Sequence, residues 1–332
     1  MKIINFIILF YLLFLNINLK ASDDDFNNWK NNFRNYAIDQ GITSKTIDNL
    51  FDRFIFLPQV IKYDRYQPEF YEDTKTYISK RVSDKKVIKG KNIYTKNKLL
   101  INNISNKYSV DKSLLLSLMG IETNFGTYLG KMDIIASLVT LSYDKRRSDF
   151  FTSELITLLK LIDNDVVDPD KMYGSWAGAF GNFQFMPSTI KNFAIDHDGN
   201  NKVDLKSVED SFASAANYIN SMGWNNEDPC FYKVNLNDDI PLNLLNTSAK
   251  KIKNYNKVKF FQNFINNSDF LNKYSSLDAA IITPDVDIVE NSNKLSPAYI
   301  VFKNYEIILK WNRSLRFGLA VCTLKEKFKN EL

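Results

Sequence analysis

The sequence predicts an α+β protein that is mainly helical. From Asp25 to Asp163, apolar and aromatic residues recur three and four positions apart with few glycines between them, which is typical of amphipathic helices. Alternating apolar segments appear only after Trp224, and they favour a small antiparallel sheet. With 332 residues, of which 45% are hydrophobic, the chain is long enough for one large domain or for two to three compact subdomains.

The first 21 residues differ in composition from the rest. Lys2 supplies a positive start, residues 3–17 are mostly apolar, and Ala21 precedes an acidic run. This order is typical of a secretory signal peptide over 1–21, and it predicts a periplasmic protein. A retained membrane anchor is the alternative, although the apolar run is shorter than the ~20 residues that a spanning helix needs. Association with the membrane is expected only if this leader is retained.

Charge and cysteine content restrict the classes of partner and compartment. The chain has 43 basic and 38 acidic side chains, and two of its lysines lie in the leader, so the excess of positive charge is small. That excess argues against nucleic acid as a partner and is compatible with an anionic polymer. Cys230 and Cys322 both remain after export to an oxidising compartment. There they either pair in a disulfide or stay as buried thiols.

The helical part of the chain divides into two predicted regions. Residues 22–95 are predicted to form an N-terminal helical domain that packs as a layer on a core. Residues 96–225 are predicted to form the core itself, with longer helices that break at 124–130 and at 142–148. A short helix is expected from Pro187, where proline and serine mark a helix start, towards Ala194.

Glycines and aromatic residues are concentrated just before that short helix. Gly174, Gly178 and Gly181 lie within residues 173–187 among five aromatic residues. This composition is unusual for a linker and indicates the wall of a binding cleft. Close packing of a helix and a loop, which also requires glycine, is the alternative interpretation.

The C-terminal third changes from helical to alternating patterns and back again. Residues 226–304 are predicted to form a small β subdomain. Its expected strands are 231–235, 279–283 and 298–302. The final region, 305–332, is predicted to return to the helical domain, with a helix over 317–328.

Glu122 is the leading candidate for a catalytic residue. It follows a nearly unbroken apolar run from Leu114 to Ile121, which predicts a buried carboxyl at the C-terminal end of a helix. Burial and the negative end of the helix dipole both disfavour ionisation, as a general acid requires. Asp133 and Asp144 are nearby in sequence, and both fit solvated or capping positions better than a paired catalytic role.

A loop rich in aspartate and asparagine predicts a cation site. Oxygen ligands are available from Asp196, Asp198, Asn200 and the backbone carbonyl of Lys202, an alternation that Ca²⁺ favours. Asp210, the fifteenth residue counting from Asp196, supplies a later carboxylate. An Asx-rich turn without a metal is the alternative interpretation, since the same residue types stabilise such turns.

Three segments together resemble the B family of lytic murein transglycosylases. They are residues 120–126, residues 175–188, and the loop 196–210 with 216–218 after it. Weaker likeness extends from 67–69 to 310–314, so that nearly all of the mature chain is covered. The resemblance implies a lysozyme-like core with a surrounding helical domain and a small β domain, acting on peptidoglycan.

The resemblance also implies roles for individual residues. Glu122 matches the single catalytic acid/base of the family, while Arg146 and Arg147 match a basic pair that contacts the stem peptide. Positions that bind the glycan in the family are matched by Tyr77, Ser175, Gln184, Tyr218 and Asn312. The loop from Asp196 matches an EF-hand-like calcium site, so Ca²⁺ is the expected structural cofactor.

The chain departs from the family pattern at several positions. Asn182, Phe183 and Ile190 stand where other members often carry different polar or aromatic residues. Trp311 stands where some members carry Tyr. The spacing between Glu122 and the arginine pair is one residue shorter than in some relatives.

The implied activity is cleavage of the bond between N-acetylmuramic acid (MurNAc) and N-acetylglucosamine (GlcNAc), with closure of a 1,6-anhydro ring by one carboxyl instead of two. A hydrolytic muramidase that admits water is an alternative in the same class. A non-catalytic wall-binding or assembly protein is an alternative of another class. The expected partners are glycan strands of peptidoglycan, with cell-wall synthesis or assembly proteins as further candidates and no nucleic acid.

Overall fold

The computed structural model describes residues 24–66 and 71–332. The predicted signal peptide over 1–21 and the motif residues 67–69 lie outside the described residues. Within the described ranges, no helix combines the length and the apolar character that crossing a membrane requires.

Helices account for most of the described chain, as predicted. In order they are α1 (24–39), α2 (Ser44–Leu50), α3 (Pro58–Arg65), α4 (Thr74–Arg81), α5 (Asp84–Lys96), α6 (Lys98–Tyr108), α7 (Lys112–Thr123), α8 (Ile134–Tyr143), α9 (Ser148–Asp163), α10 (Pro187–Phe193), α11 (Val208–Ser221), α12 (Val258–Phe261), α13 (Lys303–Trp311) and α14 (Leu315–Lys329). The breaks expected at 124–130 and at 142–148 both occur. A further break after α6, where Ser109 adopts a left-handed conformation at φ 52°, was not predicted.

Two small sheets complete the α+β architecture. The strands are β1 (Met132–Asp133), β2 (Tyr173–Gly174), β3 (Phe231–Val234), β4 (Leu245–Asn246), β5 (Asn256–Lys257), β6 (Asp278–Ile282) and β7 (Ala298–Phe302). β1 pairs antiparallel with β2. In the second sheet, in the order β3-β7-β6-β4 with β5 also on β6, all pairs are antiparallel except β4 with β6. The predicted antiparallel strands β3, β6 and β7 are therefore confirmed, and the short strands β4 and β5 were missed.

The chain forms two compact units that interleave along the sequence. The first contains the described residues up to Arg65 together with Gly130–Phe180 and Phe185–Asn192, and the second contains the remainder. In the first unit α8 packs against α9, and Asp133 caps α8 by accepting a hydrogen bond from the Ala136 amide at 3.1 Å. The domains drawn from the sequence at 22–95, 96–225, 226–304 and 305–332 stay a prediction.

The second unit is built around α7. Every residue from Ser113 to Gly120 on this helix is buried, so α7 is enclosed on all sides and packs against α14, α11, α6 and α5. Gly120 is required at its contact with the following turn, because a Cβ there would press on the Phe125 ring. This packing fixes the C-terminal end of α7, where Glu122 lies.

Cys230 and Cys322 form a disulfide within the second unit. Their Cα atoms are 6.1 Å apart and the two residues are separated by 92 positions in the chain. Of the two states that the sequence allowed, the structure has the paired one. The bond connects the segment just before β3 to α14, the helix that packs against α7.

Candidate functional site

Glu122 lies in the last turn of α7 and is half-buried. Its Oε1 accepts a hydrogen bond from the indole Nε1 of Trp311 at 2.9 Å. Trp311 is the last residue of α13, so a side chain 189 positions away in sequence orients the candidate acid. Sequence reasoning noted Trp311 only as a departure from the family pattern, and no local signal connects it to Glu122.

An aromatic cluster surrounds this hydrogen bond. The Trp311 ring meets Tyr218 edge-on at 5.1 Å between centroids and Phe183 at 6.2 Å. Tyr218 also meets Phe193 at 4.7 Å. Burial raises the pKa of the Tyr218 hydroxyl, so that group keeps its proton across the neutral range. The buried rings of Phe183 and Tyr218 therefore hold the indole that bonds the Glu122 carboxyl.

Gln184 has an uncommon backbone conformation. Its φ is 52°, in the left-handed region that a residue other than glycine occupies at a cost of about 1 kcal/mol or more. Its Nε2 donates to the carbonyls of Gly181 at 2.9 Å and Leu129 at 3.3 Å. Such strain is concentrated at functional sites, which agrees with the role that the sequence predicted for Gln184.

Asn182 connects the Gln184 segment to α7 and to the cation loop. Its carbonyl accepts from Thr123 Oγ1 at 2.8 Å, and its Nδ2 donates to the Lys206 carbonyl at 3.0 Å. Thr123 is the residue directly after Glu122, and Lys206 lies in the loop that begins at Asp196. One buried amide side chain and its carbonyl thus join three parts of the candidate site.

Two further predicted residues belong to this unit. Tyr77 on α4 is only 3% exposed, and the Arg81 guanidinium lies 3.5 Å from its ring centroid. Asn312 follows α13 directly and is half-buried, with its backbone amide bonded to the Ile308 carbonyl at 3.2 Å. Contact of either residue with glycan stays a prediction.

The arginine pair belongs to the first unit. Arg146 Nη2 donates to Asp64 Oδ1 at 2.7 Å, and Arg147 bonds the same oxygen. Burial alone would raise the pKa of Asp64, but the hydrogen bonds and charges of Arg146 and Arg147 hold it below its ordinary value. Asp64 thereby fixes both guanidinium groups while about two-fifths of each arginine side chain stays exposed.

Ser175 also lies in the first unit, directly after β2. Its Oγ accepts hydrogen bonds from the amides of Ala179 at 3.0 Å and Ala177 at 3.3 Å, which closes a tight turn. This turn supports the alternative that glycines here serve close packing, because a Cβ on Gly178 would press on Leu138. The glycan-binding role of Ser175 stays a prediction.

The predicted cation loop brings three carboxylates together. One oxygen each from Asp196, Asp198 and Asp210 lies within 4.8 Å of the others, and Asp210 is fully buried. Asp210 also accepts from the amides of His197 and Asp204, both at 2.8 Å, so its orientation is fixed by the loop. Hard oxygen donors at this separation fit a divalent cation such as Ca²⁺.

A cavity of about 430 Å³ lies beside Glu122. Its wall includes Lys80, Lys85, Lys86 and Lys89 from α4 and α5, together with Tyr128. Sequence reasoning missed these lysines, because the chain is rich in lysine and single lysines are usually solvated. The sequence did contain one signal, which is that Lys85, Lys86 and Lys89 lie close together at the start of α5.

Comparisons with known proteins give a consistent result. A family model described as the transglycosylase SLT domain matches residues 25–326. Membrane-bound lytic murein transglycosylase B of Escherichia coli (strain K12) is 38% identical over 118 residues, which are 35% of this chain and 33% of that protein. The match therefore spans about a third of the length of this curated relative.

Solved structures resemble the chain over a greater length. SltB3 from Pseudomonas aeruginosa, in complex with NAG-NAM-pentapeptide, has a TM-score of 0.79 and 30% identity, covering 92% of this chain and 79% of its own. The Escherichia coli lytic transglycosylase Slt35, in complex with calcium, has a TM-score of 0.75 and 23% identity over 91% of this chain and 93% of its own. The similarity to Slt35 shows a shared fold and assigns no role to any residue.

Proposed function

The chain belongs to the transglycosylase SLT domain family, whose model matches residues 25–326, and from that premise we propose that it is a peptidoglycan lytic transglycosylase. In this proposal Glu122 is the single acid/base, and the cleaved bond is the β-1,4 linkage between MurNAc and GlcNAc. The product ends in 1,6-anhydro-MurNAc. The related SltB3 was solved with NAG-NAM-pentapeptide and with NAG-anhNAM-pentapeptide, which supports this class of substrate and product.

The hydrogen bond from Trp311 to Glu122 is the observation that carries the proposal. A half-buried carboxyl held at one oxygen by an indole N–H is oriented for proton transfer and does not rotate freely. The half-buried ring of Trp311 gives a sugar ring an apolar face on which to stack.

The first chemical step breaks the glycosidic bond. The protonated carboxyl of Glu122 gives its proton to the glycosidic oxygen, and the bond between that oxygen and C1 of MurNAc breaks as the GlcNAc alcohol leaves. The 2-acetamido oxygen of MurNAc stabilises the positive charge that develops at C1. No second protein carboxylate is needed, in contrast to most glycosidases.

The second step closes the anhydro ring. Glu122, now ionised, accepts the proton of the C6 hydroxyl, and O6 forms a bond to C1 while the acetamido group is released. The acid is then protonated again and ready for the next cycle. One residue serves as acid and then as base, so its orientation must be kept throughout, and Trp311 supplies that restraint.

Seven further residues are proposed to contact the substrate. We assign glycan contacts to Tyr77, Ser175, Gln184, Tyr218 and Asn312, and stem-peptide contacts to Arg146 and Arg147. The exposed guanidinium faces of the arginine pair suit carboxylates, because arginine binds them through two parallel hydrogen bonds.

We also propose that the loop from Asp196 binds Ca²⁺ in a structural role. Asp196, Asp198, Asn200 and Asp210 would supply side-chain oxygens, and Lys202 its carbonyl. The support is the convergence of three carboxylates, which repel one another unless a cation lies between them. The ion would stabilise the loop to which Asn182 is bonded.

The proposed location is the periplasm. The pattern over residues 1–21 supports export, and the disulfide between Cys230 and Cys322 supports an oxidising compartment. Attachment to the membrane follows only if the leader is retained. Glycan strands are the proposed partner.

Mass spectrometry of the products released from purified peptidoglycan tests the function. The mature protein is expected to release anhydro-muropeptides, and its Glu122→Gln variant none. Glu227→Gln, which changes an exposed carboxyl, is the matched control and should behave as the native protein. Circular dichroism of all three proteins separates lost chemistry from lost fold.

Each of the other outcomes favours an alternative. Products with a reducing end, heavier by one water, would identify a hydrolytic muramidase. No product from the native protein would favour a wall-binding or assembly protein. Substantial activity in Glu122→Gln would exclude Glu122 as the acid.

A further inference from the structure

The cavity beside Glu122 has a wall rich in positive charge. Four lysines line it, and Glu122 is the one carboxylate that does so among the described residues. We call it the lysine cavity: Lys80, Lys85, Lys86 and Lys89, with Ser83, Ile121, Glu122, Asn124 and Tyr128. A glycan whose muramyl lactyl carboxyls are all amide-linked to peptides is neutral, and the sugars of such a glycan give no reason for this concentration of cations at the site of cleavage.

Two of the lysines are held by protein groups. Lys80 Nζ lies 2.6 Å from a Glu72 carboxylate oxygen. Lys89 Nζ donates to the carbonyl of Asn124 at 2.8 Å and also bonds Thr127. Lys89 thereby ties α5 to the turn that follows Glu122, and it defines one side of the lysine cavity.

Lys86 differs from these two. Its side chain is half-buried, and no acceptor in residues 24–66 or 71–332 bonds its ammonium group. It lies in the first turn of α5, where the helix dipole disfavours a cation. Burial, together with the nearby charges of Arg81 and Lys89, lowers the pKa of Lys86 to about 8.

The position of Lys86 therefore lowers the stability of the folded protein when its ammonium group is charged. A half-buried ammonium beside other positive groups destabilises the protein unless an anion binds there. The ordinary solution for a lysine is to extend its ammonium into water, and Lys85 on the same turn is exposed. Lys86 is instead directed to the cavity that contains the candidate acid.

We propose that the lysine cavity is a subsite for a carboxylate of the stem peptide, with Lys86 as the group that binds it. This inference rests on the proposed function, which makes peptide-bearing glycan the substrate. A peptide attached to the muramyl lactyl group by its N-terminus carries at least a C-terminal carboxylate. Lys86 and Lys85 supply the charge, while Lys80 and Lys89 shape the wall.

The subsite favours strands that still carry peptides. A carboxylate bound at Lys86 would neutralise the excess of positive charge next to Glu122 and raise the affinity of the Michaelis complex. Strands without peptides carry only the lactyl carboxylate, which is attached directly to the sugar. They lack the carboxylate at the end of the peptide and would bind more weakly. The lysine cavity thus determines substrate preference without taking part in bond breaking.

Binding of the disaccharide pentapeptide GlcNAc-MurNAc-pentapeptide tests the proposal. This ligand lacks the MurNAc to GlcNAc linkage that the enzyme would cleave, so the native protein can be used in calorimetry. Lys86→Gln is expected to weaken binding about tenfold, as loss of a charge-assisted hydrogen bond does. Lys86→Arg should retain most of the affinity, and Lys96→Gln, an exposed change at the other end of α5, should leave it unchanged.

Two modified ligands identify the charged group. With the peptide carboxylates converted to amides, the native protein should bind about tenfold more weakly, and Lys86→Gln should cause no further loss. The same lack of effect is expected with the disaccharide that has no peptide and whose lactyl carboxyl is converted to an amide. Equal loss of affinity for all three ligands in Lys86→Gln would overturn the proposal, as would no loss for any.

The test is independent of catalysis. If the native protein released no anhydro-muropeptides but Lys86→Gln still lost affinity for the charged ligand alone, the subsite would stand and the proposed activity would fall. If the native protein released anhydro-muropeptides but Lys86→Gln lost no affinity for the charged ligand, the proposed activity would stand and the subsite would be excluded. A melting curve for each variant verifies that the fold is retained.

Discussion

At the scale of single residues, the candidate acid depends on a partner that only the fold supplies. Glu122 was found from sequence because a carboxyl at the end of a buried helix is unusual. Trp311 was not found, since its bond to Glu122 arises from the packing of α13 and α14 in the second unit. Lys86 was missed for a different reason: nothing in a lysine-rich sequence distinguishes a half-buried lysine from a solvated one.

Trp311→Phe is expected to lower kcat by roughly 10- to 100-fold, because the carboxyl loses the donor that fixes its orientation. KM should change little. The indole N–H also stabilises the ionised carboxyl, so the alkaline limb of the pH–rate profile should move to higher pH. Release of anhydro-muropeptides as a function of pH measures both effects.

Trp29→Phe is the matched control for that change. Trp29 stacks on Phe26 and Phe33, centroids 5.8 and 5.3 Å away, in the first unit. Its loss should leave the pH profile in place. A Trp311→Phe profile that kept its position would show that the indole has only a packing role.

Lys86→Gln is expected to stabilise the protein near neutral pH. The pKa of Lys86 is lowered from 10.5 to about 8, so between these values the unfolded chain binds more protons and the free energy of unfolding rises with pH. Below pH 8 the charged side chain destabilises the fold, by an amount that solvent screening limits to on the order of 1 kcal/mol. The melting temperature at about pH 7 should rise by roughly 2 °C, and this gain should vanish near pH 10. A lower melting temperature at pH 7 would contradict the account of Lys86 given above.

At the scale of elements, long patterns were predictable and short ones were not. The helices α7, α9 and α14 have many apolar residues at helical spacing, and the strands β3, β6 and β7 are mostly apolar over four or five residues. β4 and β5 have two residues each and depend on pairing with β6, which no local pattern encodes. α13 follows β7 without an interval, so no loop residues mark its start in the sequence.

The cation loop is an element whose stability we expect to depend on Ca²⁺. At a calcium concentration about a hundred times the dissociation constant, the folded protein gains about 2.7 kcal/mol. Asp210→Asn should abolish the rise in melting temperature, because it removes a buried carboxylate from the cluster. Differential scanning calorimetry with calcium and with a chelator measures the difference.

Glu209→Gln serves as the control for that experiment. It changes the neighbouring carboxyl on α11, which is not part of the cluster. Calcium should still raise the melting temperature of this variant. If calcium left the melting temperature of the native protein unchanged, the result would favour the Asx-rich turn without a metal.

At the scale of the whole molecule, composition and patterning predicted the class of fold but not its connectivity. The mainly helical α+β class follows from the change of pattern after Trp224. The interleaving of the two units depends on contacts between distant segments, such as that of Asp64 with Arg146, which appear only after folding. The pairing of Cys230 with Cys322 was left open by sequence for the same reason.

Reduction of the disulfide is expected to destabilise the second unit. The bond closes a loop between residues 92 apart, and cross-links of this kind stabilise by on the order of 4 kcal/mol through the unfolded state. The melting temperature should fall by about 8 °C in reductant. The double variant Cys230→Ser, Cys322→Ser should melt at that lower temperature with or without reductant. An unchanged melting temperature in reductant would contradict the expectation.

The bond between Trp311 and Glu122 gives the protein a built-in optical probe. An indole whose N–H faces a carboxyl emits light that depends on the charge of that carboxyl. All four tryptophans lie in the described residues, and Trp311 is the one among them whose indole N–H bonds Glu122, so its emission is expected to follow the proton on the candidate acid. The difference between native and Trp311→Phe spectra isolates this signal. Protonation of Glu122 becomes observable in solution, without substrate and without turnover.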